Sequence, residues 1–124
     1  MLAMAATPFR EALGRHLLAI ENRDLRALAE TVAPGEIVLV TAEGKLVERS
    51  DEFLKMHRDW FATDGWTLEA KPVQLFENDS LGVAVLHLDY REPPATRSES
   101  YLTLVFERRD GRWLMVQDQN TPIR

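Results

Sequence analysis

The sequence predicts an α+β domain: three helices packed on a strongly curved antiparallel sheet, a two-layer cone with an internal cavity. Three observations carry that expectation. Helical hydrophobic spacing occurs in three separate stretches, all in the first half of the chain. Long β-rich runs dominate the second half, and helices segregated to one side of an antiparallel sheet make a two-layer α+β domain. The last stretch, Arg97 to Thr121, holds two such runs around Asp110-Gly111, a dipeptide suited to a two-residue hairpin whose central positions both need positive φ.

In chain order, Thr7-Pro8 opens the first helix, with Thr as N-cap and Pro at the first helical position, where its missing N–H costs nothing. Phe9, Ala12, Leu13, His16, Leu17 and Ile20 form its apolar stripe, and Glu21-Asn22-Arg23 breaks the pattern. Asp24 caps a second helix with Leu25, Leu28, Ala29 and Val32 inward, ending before Pro34-Gly35. Glu36 to Thr41 reads as a strand, Glu43-Gly44 turns the chain, and Leu46 to Glu48 returns. Ser50 is expected to cap a third helix, with Asp51 and Glu52 in its first turn, where the helix dipole favours negative charge. Its stripe is Phe53, Leu54, His57, Trp60 and Phe61.

Trp66 to Phe76 is a strand in which Pro72 shifts the alternation, predicting a bulge or an edge position. Asn78-Asp79-Ser80 turns into the strand Leu81 to Tyr90, read with Val83, Val85, His87 and Asp89 facing the core. Glu92 to Thr96 is a loop feeding the final hairpin. A tight turn there sets Arg109 opposite Arg112, Phe106 opposite Met115 and Leu104 opposite Gln117. The inner face is then Ser98, Ser100, Leu102, Leu104, Phe106, Trp113, Met115, Gln117 and Gln119, apolar near the turn and polar beyond it, like a core opening into a pocket.

With 124 residues, 45% hydrophobic and 28% charged, the chain is read as a single folded domain, residues 1–124, with an ordered core of about 8–122. A net charge of −5 with no basic cluster beyond Arg108, Arg109 and Arg112 argues against nucleic acid and anionic membranes as partners. Absence of cysteine excludes disulfides, thiolate chemistry and cysteine-ligated zinc. The start, MLAMAATPF, has no basic region and too short an apolar run for a signal peptide, and no stretch approaches a membrane span, so a cytoplasmic location is expected.

Residues 8–123 resemble the nuclear transport factor 2-like superfamily, in particular its SnoaL-like and ketosteroid-isomerase-like small domains. The resemblance rests on ENRDLRALAETVAPG, the third helix and the terminal RRDGRWLMVQDQNTPI. That last stretch is also similar to the end of the association domain of calcium/calmodulin-dependent kinase. Relatives often carry two histidines where this chain has Gln117 and Gln119, which removes proton-transfer groups from that strand. The resemblance implies members that bind small ligands, catalyse isomerisation, cyclisation or dehydration, or only dimerise.

The expected cavity is ringed by His16, His57, Trp60, His87, Ser100, Gln117 and Gln119. Histidine titrates near neutral pH and serves as acid, base or neutral donor. The spacing of the three histidines is no metal-ligand motif, so neither metal nor other cofactor is expected. Asp89, two residues past His87 on the same strand face, is a candidate general base, with a solvated carboxylate at the cone mouth as the competing reading. Tyr101, Thr103, Val105, Leu114 and Val116, with Leu86 and Leu88, are expected to form an apolar outer patch that pairs two copies into a homodimer. Binding of a small, largely apolar molecule with a polar end leads. An acid/base enzyme using Asp89 or His87, and a dimerisation module without a ligand, are the alternatives.

Overall fold

The computed structural model describes residues 6–94 and 96–124. The reading of the first five residues as free of a leader, and that of Ala95 within a loop, lie outside the described residues. The elements are α1 (Pro8–Glu21), α2 (Leu25–Glu30), β1 (Glu36–Val40), β2 (Leu46–Arg49), α3 (Ser50–Phe61), β3 (Thr67–Glu77), β4 (Leu81–Glu92), β5 (Thr96–Arg109) and β6 (Arg112–Pro122). Six strands form one sheet in the order β2-β1-β6-β5-β4-β3, antiparallel throughout except where β1 runs parallel to β6. The predicted α+β class, three helices on one curved and mostly antiparallel sheet, is the observed one.

The helix starts follow local chemistry. Thr7 Oγ1 accepts a hydrogen bond from the Arg10 N–H, and Asp24 Oδ1 accepts one from the Ala27 N–H, each satisfying an otherwise orphaned first-turn donor. The α3 expectation needs correction. Arg49 holds the cap position without a side-chain bond, and Ser50 is the first helical residue. The Ser50 hydroxyl instead accepts from the Gly35 N–H at 2.9 Å, tying α3 to the start of β1. Ala29, expected inward on α2, is exposed because the helix has only six residues and shows one buried position, Leu28.

The core lies between the helices and the inner sheet face. Phe9 sits on Phe106 and Trp113, with ring centroids 5.7 Å from each. Gly82 makes room for it: a Cβ there would lie 2.4 Å from Phe9 Cδ1. At the hairpin tip Asp110 and Gly111 have φ of 50° and 77°, as the two-residue turn requires. Arg109 faces Arg112 and Phe106 faces Met115, as predicted.

Beyond Met115 the register departs from the sequence reading. Val105 pairs with Gln117 and Leu104 with Asp118, so β6 carries one extra residue, Val116, as a β-bulge. A one-residue slip moves every later side chain to the opposite face. Asp118 and Asn120 therefore face inward, and Gln117 and Gln119 face outward.

A second phase correction falls on β4. Ala84, Leu86 and Leu88 are buried and inner, while Val83, Val85, His87 and Asp89 are half-buried on the outer face. Leu86 and Leu88 are thus core rather than outer patch. The predicted irregularity at Pro72 appears as a bulge at Val73, on a β3 that is also the edge strand.

Candidate functional site

Along the inner sheet face the residue rows change character from one end to the other. The row Leu39–Asp118–Leu104–Ala84–Leu75 is apolar but for one carboxyl, and the rows through Ser100–Leu88–Ala70 and Ser98–Tyr90–Leu68 grow more polar. Helices α1 and α3 cover this end, and between them and the sheet lies a cavity of about 460 Å³. Ile20, Leu39, Met56, Leu68, Leu88 and Leu102 give it apolar walls, while His57, Trp60 and Tyr90 give it an aromatic one. Exposed Ala42, Glu43 and Ser98 mark the mouth, and buried Asp118 lies at depth.

The aromatic wall is braced from behind. Trp66 stacks on Trp60 with centroids 4.2 Å apart and planes 19° from parallel. The Arg23 guanidinium lies 3.9 Å from the centroid of the Trp66 ring and donates a hydrogen bond to the Trp66 carbonyl. Arg23 reaches this position from a left-handed backbone (φ 54°) that closes the end of α1. Trp60 is thus stacked on one side and lines the cavity. Burial raises the Tyr90 hydroxyl above its usual range, and that hydroxyl donates to Glu92 at 3.3 Å.

His57 has a defined tautomer. Its Nδ1 lies 2.8 Å from the Phe53 carbonyl, which can only accept, so Nδ1 carries the proton and Nε2 keeps its lone pair. Burial lowers its pKa, with the Phe53 carbonyl acting weakly in the opposite sense. His57 is therefore a neutral acceptor at neutral pH.

Asp118 is 5% exposed, and burial pushes its carboxyl up to about 7 against a partial offset from Asn120. Asn120 Nδ2 donates to Asp118 Oδ1 at 2.9 Å and to the Val40 carbonyl at 3.1 Å. Those two bonds use both amide hydrogens and fix the Asp118 carboxyl against β1. No ion pair reaches Asp118 among the described residues. A carboxyl that titrates near neutral pH inside a cavity can both take and give a proton.

Of the residues singled out in the sequence, His57, Trp60 and Ser100 meet in this cavity. His16 does not line it. It lies fully buried in the core, with Nδ1 2.8 Å from Thr31 Oγ1, Nε2 without a partner among the described residues, and its ring edge-on to Phe106 at 5.5 Å. Burial lowers its pKa to about 3, with the nearby His57 adding to the effect. His87 stands on the outer face, 3.3 Å from Glu99 and edge-on to Tyr101. Asp89 is there too, held down to about 2 by hydrogen bonds from Arg97 and then Arg91. As a paired surface carboxylate it is a poor base and does not reach the cavity. Gln117 and Gln119 are outward, their amides 3.5 Å apart. The three histidines do not converge on one point, and among the described residues no group of three or more acidic or histidine side chains is placed to hold a metal ion.

The sequence reading missed Asp118, Asn120 and Tyr90. For Tyr90 the signal was present, since it shares its strand face with the apolar set Ala84, Leu86 and Leu88, while for Asp118 and Asn120 the extra residue Val116 reversed the face that counting from the turn assigns.

Solved structures of other proteins share this architecture. The chain matches, at 18% identity and a TM-score of 0.82, a structure from Thiobacillus denitrificans assigned as a calcium/calmodulin-dependent protein kinase type II association domain, over 99% of this chain and 100% of that one. A structure assigned as a ketosteroid isomerase from Shewanella frigidimarina is 16% identical with a TM-score of 0.79, covering 93% of this chain and 95% of that one. One assigned as a dehydratase of the NTF2-like family from Streptomyces avermitilis is 13% identical with a TM-score of 0.78, covering 93% of each. Identities this low speak for the fold alone. No curated protein matches the chain in sequence. No helix among the described residues is long and apolar enough to cross a membrane. The SnoaL-like domain model matches residues 10–122, nearly the whole chain, and the chain belongs to that family.

Proposed function

We propose that the domain binds a small, largely apolar molecule in the cavity and that Asp118 exchanges a proton with it, in acid/base chemistry of the isomerase or dehydratase kind. One observation carries this reading: a carboxyl 5% exposed, in the cavity wall, poised at about pH 7. His57 Nε2, a fixed acceptor, supplies a second polar contact, and Trp60 supplies the flat apolar wall. Asp89 and His87 have no part in it, since both stand on the outer face.

The test uses cyclohex-3-enone, whose acidic C–H lies between the carbonyl and the double bond. Its conversion to the conjugated enone is followed by ultraviolet absorbance. The wild type is expected to accelerate the conversion, Asp118→Asn to remove the acceleration, and His87→Ala and Asp89→Asn to leave it unchanged. Equal rates for wild type and Asp118→Asn would refute the assignment.

A second proposal concerns assembly. The outer sheet face presents Tyr101, 45% exposed, Phe76, 58% exposed, and Val38, 37% exposed, with half-buried Thr103, Val105 and Val116 between them. We propose that this face pairs two copies into a homodimer. Leu114, expected within the patch, is already buried inside the chain and adds nothing to that surface.

A further inference from the structure

The charge balance of the cavity narrows the chemistry of its occupant. Among the described residues, no lysine or arginine lines it. Its ionisable groups are Asp118 at depth, Glu43 at the mouth, His57 and Tyr90. His57 is held neutral by burial, so it offers no positive charge. An anionic ligand would enter a low-dielectric space facing one or two carboxylates with no cation to meet it, and burying a charge without a partner is costly. Carboxylates, phosphates and sulfates are disfavoured on that ground.

The same groups suit a cation. Asp118 is a buried carboxyl whose one protein hydrogen bond, from Asn120, occupies Oδ1. Of the arginines on β4 and β5, Arg91 and Arg97 pair with Asp89 on the outer face and Arg109 pairs with Glu107. The indole of Trp60 and the ring of Tyr90 line the same cavity as Asp118, and aromatic rings attract a positive charge. The rest of the wall is aliphatic, and about 460 Å³ accommodates far more than an ammonium group.

We infer that the polar end of the ligand is an ammonium: the cavity takes a primary or secondary amine with a compact apolar body. The ammonium N–H donates to the free oxygen of Asp118 and supplies the missing counter-charge, while the body lies on Trp60 and the leucines. This rests on the reading of Asp118 as the titratable group of the cavity, and an adjacent ammonium favours its ionised form.

The experiment is calorimetric titration of the full chain with four probes of similar size: 2-phenylethylamine, 2-phenylethanol, 3-phenylpropanoate and benzyltrimethylammonium. The amine is expected to bind more tightly than the alcohol, the quaternary ion to bind more weakly than the amine because it lacks an N–H, and the carboxylate not to bind. Only the ionised form of Asp118 favours the cation. The amine affinity should therefore rise about tenfold between about pH 6 and about pH 8, as that form grows from roughly a tenth to nine-tenths of the molecules. Near pH 6, binding should release close to one proton. Asp118→Asn should lose the pH dependence and the preference for the amine. Should that variant fail to fold, the pH dependence of the wild type decides alone.

Alcohol binding as tight as amine binding, binding of the carboxylate, a pH-independent amine affinity, or no binding of the amine would each overturn the inference. The two readings fail separately. Amine preference without acceleration of cyclohex-3-enone removes the acid/base role and leaves this one. Acceleration with preference for the alcohol does the reverse.

Discussion

Replacing Asp118 by Asn should stabilise the protein at alkaline pH and leave it nearly unchanged in acid. Asn keeps the shape and the Oδ1 acceptor that Asn120 uses, and removes only the charge. In the folded chain the carboxyl titrates at about 7 against an ordinary 3.8. Between those values the unfolded chain has lost a proton that the folded one keeps, so stability falls as pH rises. The fall is about 1.4 kcal/mol for each pH unit crossed, which sets an upper bound on the order of 4 kcal/mol for the total.

His16 tilts the curve the other way. Its folded pKa, lowered to about 3 from 6.5, gives stability that is fully present above 6.5 and lost as pH falls. The two slopes oppose each other from about pH 4 to about 6.5, each near 1.4 kcal/mol per pH unit, so the wild-type curve should be shallow there. His57, lowered in the same sense as His16, adds to the rise. In Asp118→Asn the opposition is gone. Its stability should climb by about 2–3 kcal/mol from about pH 4.5 to about 6.5, and it should exceed the wild type by roughly 2–4 kcal/mol near pH 8. Urea unfolding followed by tryptophan fluorescence at several pH values measures this. A difference between the two proteins that does not change with pH would show that Asp118 titrates normally, and the argument for a poised carboxyl would fall.

The other predictions need one measurement each. Gly82→Ala drives a Cβ into the Phe9 ring and should cost about 1–3 kcal/mol in urea unfolding, as overpacking of a filled core does. Gly111→Val places a β-branched residue at a φ of 77° and should destabilise by at least about 1 kcal/mol, whereas an unchanged melting temperature would count against a strained turn. Val105→Glu puts a charge in the middle of the outer row Val38–Gln117–Val105–Val83–Phe76, and should convert a sedimenting dimer into monomers. A wild type that sediments as a monomer at micromolar concentration refutes the dimer directly.

What the residues disclosed, and what they hid, divides along one physical line. Features set by local chemistry were readable: the Thr7 and Asp24 caps, the Asp110-Gly111 turn, the irregularity around Pro72, and the stripe that carries His57 and Trp60. The face of a strand is not local chemistry in that sense, because it depends on counting, and a single inserted residue reverses it. On β4 both alternating sets contain apolar residues, so alternation alone does not choose the inner face. Ala84, Leu86 and Leu88 form the stricter apolar set, and burial follows that set. Strand β6 could not be phased by counting from the turn at all, because Val116 adds a residue in its middle.

That bulge also accounts for the site. Without it, continued alternation from Met115 would turn two neutral amides, Gln117 and Gln119, into the cavity and leave Asp118 on the outer face. With it, the inner position opposite Leu104 receives the carboxyl, and the position opposite Leu102 receives the amide that holds it. The parallel pairing of Leu39 with Asp118 then closes β1 over this segment, and the Val40 carbonyl takes the second Asn120 hydrogen. The Asp118 carboxyl is buried in a wall of leucines and aromatic rings, with no ion pair among the described residues, and that burial raises its pKa. A sheet built for stability alone would place an aliphatic residue at position 118, as it does at Leu104 and Ala84 beside it. An inward carboxyl at that position is a cost to the fold, which the proposed ligand, by supplying the missing charge or exchanging the proton, would offset.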